Sequence, residues 1–206
     1  MRKMLTLATA AMLAVSAIAQ GPAIQAYTGG TQFSSFDSTN MTVGWGFTLT
    51  TAMFVTDLGF WDNTIATPLN HSHQVGIWDS VGTLMTSALV EVDDPLTGEF
   101  RYHTVGAPVT LDAGTYNLGA EIMADLVIDN YFSSAASLTM LTGVTFEGAR
   151  RNATGGGFSN PTTAPSAPTV LGRIGPNMIL RPVPEPATFL VLGIGALVAM
   201  RRRSKK

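Results

Sequence analysis

The chain has no cysteine. That excludes disulfide staples, thiol nucleophiles, iron–sulfur clusters and zinc sites of the Cys type, so the fold must hold by packing alone. Positive charge is also missing where it would matter. Between Gln20 and Pro184 there is no lysine, and 13 Asp plus Glu face only 5 Arg, leaving a charge near −8. The −2 of the whole 206-residue chain therefore comes from cationic ends. An acidic segment of this kind repels phosphate backbones, so nucleic-acid binding is not expected. Histidine is scarce, at three residues, and no G-x-S-x-G occurs, so serine catalysis has little to build on. Gly155, Gly156 and Gly157 lack the Lys and the strand–loop–helix context of a phosphate loop.

What is present begins at the ends. Arg2 and Lys3 precede an apolar stretch from Met4 to Val15, and Ala17 and Ala19 complete an A-x-A cleavage site. This is the pattern of a secretory signal peptide over residues 1–19, read by the Sec export machinery and signal peptidase, with Gln20 as the new N-terminus. At the other end, Ala187 to Met200 carries no charge. As a helix it reaches about 21 Å against a hydrocarbon core of about 30 Å, a marginal span. Arg201, Arg202, Arg203, Lys205 and Lys206 follow directly, and long cationic side chains extend a short span by snorkelling. Cytoplasmic ends collect such residues, so the expected order is exported domain, transmembrane helix, cytoplasmic tail. Prolines on both sides of Glu185 keep that point out of regular helix and open to a processing enzyme.

The three-part tail, Val183-Pro184-Glu185-Pro186, then the apolar run, then the arginine cluster, resembles the PEP-CTERM sorting signal of exported bacterial proteins. The resemblance covers about the last 24 residues, 183–206. It implies recognition and cleavage by the membrane enzyme exosortase, an inner-membrane intermediate, and release to the cell surface or extracellular matrix. It also implies a Gram-negative host that makes exopolysaccharide, itself a candidate partner.

Removing both ends leaves residues 20–182 as one exported domain, long enough for a real core. Trp45 to Thr50 alternates large apolar with small or polar residues, the period of a half-buried strand. Ala52 to Trp61 is apolar on both faces and is expected to be central. Gln74 to Asp79 and Leu84 to Val90 flank a short Gly-containing turn, which predicts a hairpin. Asp93-Asp94-Pro95 and Thr97-Gly98 predict the next turn. Further strands are expected over Phe100 to Val105, Val109 to Leu111, Tyr116 to Ile122, Val127 to Phe132, Val144 to Phe146 and Asn177 to Leu180. Ser133 to Leu141 is open between short helix and strand, and Asn152 to Pro168 reads as a long flexible loop. Seven to ten short strands with turns every 8–12 residues predict an all-β antiparallel sandwich of jelly-roll type. The strand with Leu58-Gly59, the Val75-x-Ile77-Trp78 strand with its hairpin, and the run Pro108-Val109-x-Leu111-x-Ala113-Gly114-Thr115-Tyr116 are similar to a domain of unknown function in bacterial surface proteins, over roughly residues 43–122. That likeness implies a β-sandwich and no known activity.

Candidate chemistry is thin. His71 and His73 would share a strand face, as two imidazole ligands need, with His103 or a loop Asp as a third; the competing role is structural. Asp57, Asp62, Asp79, Asp93 and Asp94 lie near turns. They are compatible with Ca²⁺ by composition only, since no D-x-D-x-D-G loop is present, and turn capping is the simpler role. Trp45, Trp61, Trp78 and Tyr102 belong either to the core or to a sugar-stacking face. The expectation is a non-enzymatic protein without cofactor; the alternatives are a carbohydrate-binding module and a secreted hydrolase built on two carboxylates. The residues expected to matter are those of sorting and processing: Ala17, Ala19, Val183, Pro184, Glu185, Pro186, Arg201, Arg202 and Arg203.

Overall fold

A computed structural model describes residues 20–33, 40–62, 69–124, 129–152, 156–164 and 171–184. The expected signal helix with Ala17 and Ala19, the expected transmembrane helix, and Glu185, Pro186 and Arg201 to Arg203 lie outside the described residues. Among the described residues the chain forms strands and no helix.

Two five-stranded antiparallel sheets face each other. The front sheet runs in the order β1 (Gly21–Pro22), β14 (Pro176–Pro182), β5 (Met53–Trp61), β9 (Phe100–Leu111), β8 (Leu96–Thr97). The back sheet runs β13 (Val144–Arg151), β4 (Met41–Leu49), β10 (Gly114–Ile122), β6 (His73–Asp79), β7 (Leu84–Val90). Two ribbons complete the fold: β3 (Thr31–Phe33) with β11 (Tyr131–Ser133), and β2 (Ile24–Thr28) with β12 (Ser137–Met140). The architecture is the expected antiparallel sandwich.

Alternation explains the core. Val43, Trp45, Phe47 and Leu49 of β4 are buried and share one face with their register partners Leu118, Tyr116 and Ile77. From the front sheet, Leu58 and Phe60 point back at them. Each large apolar side chain so buried contributes about 1.5–3 kcal/mol relative to exposure. Trp45 does more than fill space. Its indole N–H donates 2.9 Å to the Pro176 carbonyl, so a single buried ring ties the two sheets together.

One open reading is decided and two expectations need correcting. Ser133 to Leu141 is not helical, because Ser137 to Met140 pairs with β2 and the Ala135 amide donates to the Leu171 carbonyl. The two strands expected over 100–105 and 109–111 are one element, β9. Its register against β5 jumps between Thr104 and Val109, so the Gly106-Ala107-Pro108 break between the two expected strands is a bulge and not a turn. The stretch from Asn152 is no flexible loop where it is described. Asn152 is buried and donates to the Gly157 carbonyl at 2.8 Å and the Ser159 hydroxyl at 2.7 Å. Thr42 Oγ1 donates 2.6 Å to the Gly157 carbonyl and accepts from the Ser159 amide at 3.0 Å.

That segment sits on a seat made by glycines. Gly44, Gly119 and Gly76 are register partners across β4, β10 and β6, on the face turned away from the core. A Cβ on Gly76 would come within 2.7 Å of the Phe158 ring, and one on Gly119 within 2.9 Å of the Pro161 ring. The missing side chains of Gly76 and Gly119 leave a channel that Phe158 and Pro161 fill.

Candidate functional site

The two histidines weighed as ligands or as structural residues converge on one carboxylate, with His71 Nδ1 3.5 Å and His73 Nε2 3.1 Å from Asp129 Oδ2. His73 opens β6 with its side chain in the core and stacks on Phe60 at a ring separation of 3.7 Å. Its Nδ1 lies 2.8 Å from the Glu121 carbonyl and its Nε2 3.1 Å from the Asp129 carboxylate. Asp129 is itself buried and also accepts from the Asn70 amide at 2.7 Å, the Asn70 side chain at 3.0 Å and the His71 amide at 2.8 Å. Burial pushes the Asp129 pKa up. The hydrogen bond from His73, the Asn70 amide, the His73 charge and the His71 amide outweigh it, so the carboxyl sits below its ordinary value. The arrangement is a structural clamp that pins 70–73 to 129 at one end of the sandwich. His103 is engaged separately, 3.0 Å from Asp94.

Four of the five acidic candidates are likewise committed, and Asp93 is exposed. Asp79 accepts from the Val81 and Thr83 amides at 3.0 and 2.7 Å, which is turn capping. Asp94 accepts from the Glu91 amide at 2.7 Å, and Asp57 accepts from the Thr56 and Thr104 hydroxyls. Asp62, fully buried, takes a charge-assisted bond from Arg101. Among the described residues no group of three or more His, Asp or Glu is placed to hold a metal ion. Trp45, Trp61, Trp78 and Tyr102 are all buried, so none offers an open ring face for stacking.

Arg173 stands apart. Its backbone is left-handed at φ 58°, uncommon for a side chain of this size, and its Nη1 is buried without an acceptor. Burial pulls its pKa down, the Tyr131 phenol pushes it up and Arg151 pulls it down again, for a net lowering. Replacing Arg173 with glycine removes both the strain and the orphaned donor. It is expected to raise stability by about 1–2 kcal/mol, read as a higher midpoint in urea. An unchanged or lower midpoint would contradict this account of the residue.

The remaining feature is a cleft on the outer face of the front sheet. Phe60 faces the core, so its neighbours Gly59 and Trp61 face outward, together with their register partners Tyr102 and Phe100. Tyr102 lies over Gly59, where a Cβ would come within 2.5 Å of its ring. Burial and the Asp57 charge push the Tyr102 phenol well above its usual range. Strand β2 crosses this face. The Asn177 side chain holds it, accepting from the Ile24 amide at 3.1 Å and donating to the Ile24 carbonyl at 3.0 Å. Tyr27 of β2 packs on Phe132 at 4.2 Å, accepts from the Trp61 indole at 2.8 Å and donates to Glu99. Between β2 and the β8–β9 hairpin a cleft of about 510 Å³ remains. Sequence reading missed it because the 20–33 segment showed no strand pattern. Gly59 inside an aromatic strand was the available signal.

Residues 27–167 match the family described as a domain of unknown function, DUF4082. The chain belongs to the DUF4082 family. The match is wider than the 43–122 core of similarity visible by eye and takes in the Tyr27 side of the cleft. Residues 182–204 match the PEP-CTERM protein-sorting motif, which marks the chain as an exosortase-sorted exported protein, directed to the cell surface or extracellular space. No curated protein matches the chain. The motif begins where β14 ends, at Pro182. Val183 still touches the domain through its amide, 3.4 Å from the Ala52 carbonyl, and Pro184 is exposed. The DUF4082 sandwich thus hands over to the sorting motif at an exposed strand end.

Proposed function

We propose that this DUF4082 protein is a non-enzymatic component of the cell surface or extracellular matrix of a Gram-negative bacterium, associated with exopolysaccharide. It passes through an inner-membrane intermediate and is cut near Pro184-Glu185-Pro186 by exosortase. The observation that carries this reading is the PEP-CTERM motif starting at the last residue of the last strand. Support for a role without catalysis comes from where the polar side chains go. His73, Asp129, Arg101, Asp79 and Asp94 spend their hydrogen bonds on holding turns and strand ends. A catalytic acid or base needs a proton-transfer partner on a substrate and cannot be saturated by the scaffold.

The test is cell fractionation with intact mass. The native chain is expected in the medium or on the cell surface, shortened at both ends. A variant with Pro184, Glu185 and Pro186 all replaced by alanine is expected to stay in the membrane fraction with its tail attached. Identical location and mass for the two chains would overturn the sorting assignment.

A further inference from the structure

The outer faces of the two sheets are finished differently. On the back sheet the glycine channel is filled by Phe158 and Pro161. On the front sheet the aromatic face formed by Trp61, Phe100 and Tyr102 is only partly covered by β2, and the uncovered part is the cleft. Its walls carry Gln25, Tyr27, Thr97 and Glu99, and its floor Phe100 and Tyr102. Gln25, Thr97 and Glu99 are exposed, Tyr27 is half-buried, and the floor rings are buried. At the hairpin tip Gly98, φ 64°, has no atom within 4 Å of the place a Cβ would take, so the mouth is open.

Size, polarity and charge narrow the occupant. A volume of about 510 Å³ lies in the range of small-ligand sites. The polar groups at the rim are a carboxylate, an amide and hydroxyls, a mixture that both accepts from and donates to hydroxyl groups. The half-buried ring of Tyr27 accepts C–H faces. Among the described residues Glu99 is the one carboxylate at the rim, and no Arg or Lys lines the cleft. An acidic ligand would meet a carboxylate there, inside a domain already near −8. The site is also set in advance. Tyr27 is fixed by Trp61, Glu99 and Phe132, so little side-chain freedom is lost on binding.

We propose that this cleft binds a short neutral saccharide segment, with Glu99 and the Tyr27 hydroxyl bonding its hydroxyls and the half-buried Tyr27 ring taking a ring face. With a single half-exposed ring the affinity per site is expected to be weak, near millimolar, and many copies on one polymer would supply retention. The inference goes beyond the surface role above and does not rest on it, since a failure of sorting leaves binding by the purified chain unchanged.

The experiment uses the full chain in a detergent without a sugar headgroup. Cellotetraose, maltotetraose and chitotetraose are titrated while NMR follows the Trp61 indole N–H, which sits on Tyr27. Tetragalacturonate is the acidic counterpart. A saturable shift with at least one neutral tetrasaccharide is expected. Glu99→Gln keeps the shape and removes the charge; it should weaken binding about tenfold or more without lowering the melting temperature. Tyr27→Phe keeps the ring and should also weaken it. Three results would each overturn the proposal: equal or tighter binding of tetragalacturonate, a shift that neither variant alters, or no shift with any neutral tetrasaccharide at millimolar concentration.

Discussion

Replacing Asp129 with asparagine is expected to cost about 2–4 kcal/mol of folding stability at pH 7, because it removes the charged acceptor of a buried cluster. The carboxylate receives His73, two amides and the Asn70 side chain within 3.1 Å. An asparagine of the same shape places an NH₂ among those donors, leaving at least one N–H without an acceptor in a site closed to water. The neighbouring ring magnifies the effect. Both nitrogens of His73 face acceptors, the Glu121 carbonyl and the Asp129 carboxylate. Without the carboxylate the Nε2 edge of a ring buried against Phe60 loses its charged partner. For a domain of this size the loss corresponds to a melting temperature lower by roughly 5–15 °C.

The pH dependence of the same variant tests the cause. Asp129 has a folded-state pKa below its ordinary 3.8, so its contribution is fully present above about pH 4 and is lost as pH falls through the folded value. Native and Asp129→Asn chains should therefore differ most at neutral pH and converge below pH 4, measured by urea titration at each pH. A constant difference down to pH 2 would show that the carboxylate's charge is not what the clamp uses. The double variant with His73→Gln should lose less than the sum of the single losses, since one network is broken in both.

The parts of this molecule that could be read from sequence are those whose causes are local. The β6–β7 hairpin was legible because two apolar runs flank a four-residue turn around Gly82. The central place of β5 was legible because Phe54 to Trp61 is apolar on both faces, and it does lie between β14 and β9. The His73 clamp was not, since Asp129 lies 56 residues away and nothing in either segment names the other. Order over 156–164 was hidden for a related reason. Its Gly, Ser, Asn and Pro content is that of a loop, while the seat that orders it comes from Gly76 and Gly119, which meet only through register. The cleft needs β2 to cross a sheet assembled from both ends of the domain, with Asn177 bonding Ile24 across 153 residues. The sorting motif is the opposite case. It is contiguous, is read by an enzyme as a linear segment, and was therefore open to reading in full.

Gly44→Ala should be among the most damaging single-methyl changes in the protein. A Cβ at position 44 would come within 1.9 Å of the Leu118 carbonyl oxygen and 2.8 Å of the Gly119 Cα. Both are backbone atoms of β10, the strand paired with β4 along its whole length, so no side chain can rotate away. Relief requires β4 and β10 to part, which breaks the ladder that carries Trp45 and with it the indole bridge to Pro176. Overpacking against movable neighbours costs about 1–3 kcal/mol; against fixed backbone the loss should exceed about 3 kcal/mol, a large part of the stability of a single domain. The variant should be recovered in low soluble yield or melt at least about 10 °C below the native chain. Gly106→Ala is the control, because a Cβ there meets nothing within 4 Å, and it should change stability by about 0.5 kcal/mol or less. Comparable losses for the two would mean that loss of glycine itself, rather than collision with β10, sets the cost. A native-like Gly44→Ala chain would mean that β4 and β10 do not approach at position 44 as closely as this collision requires.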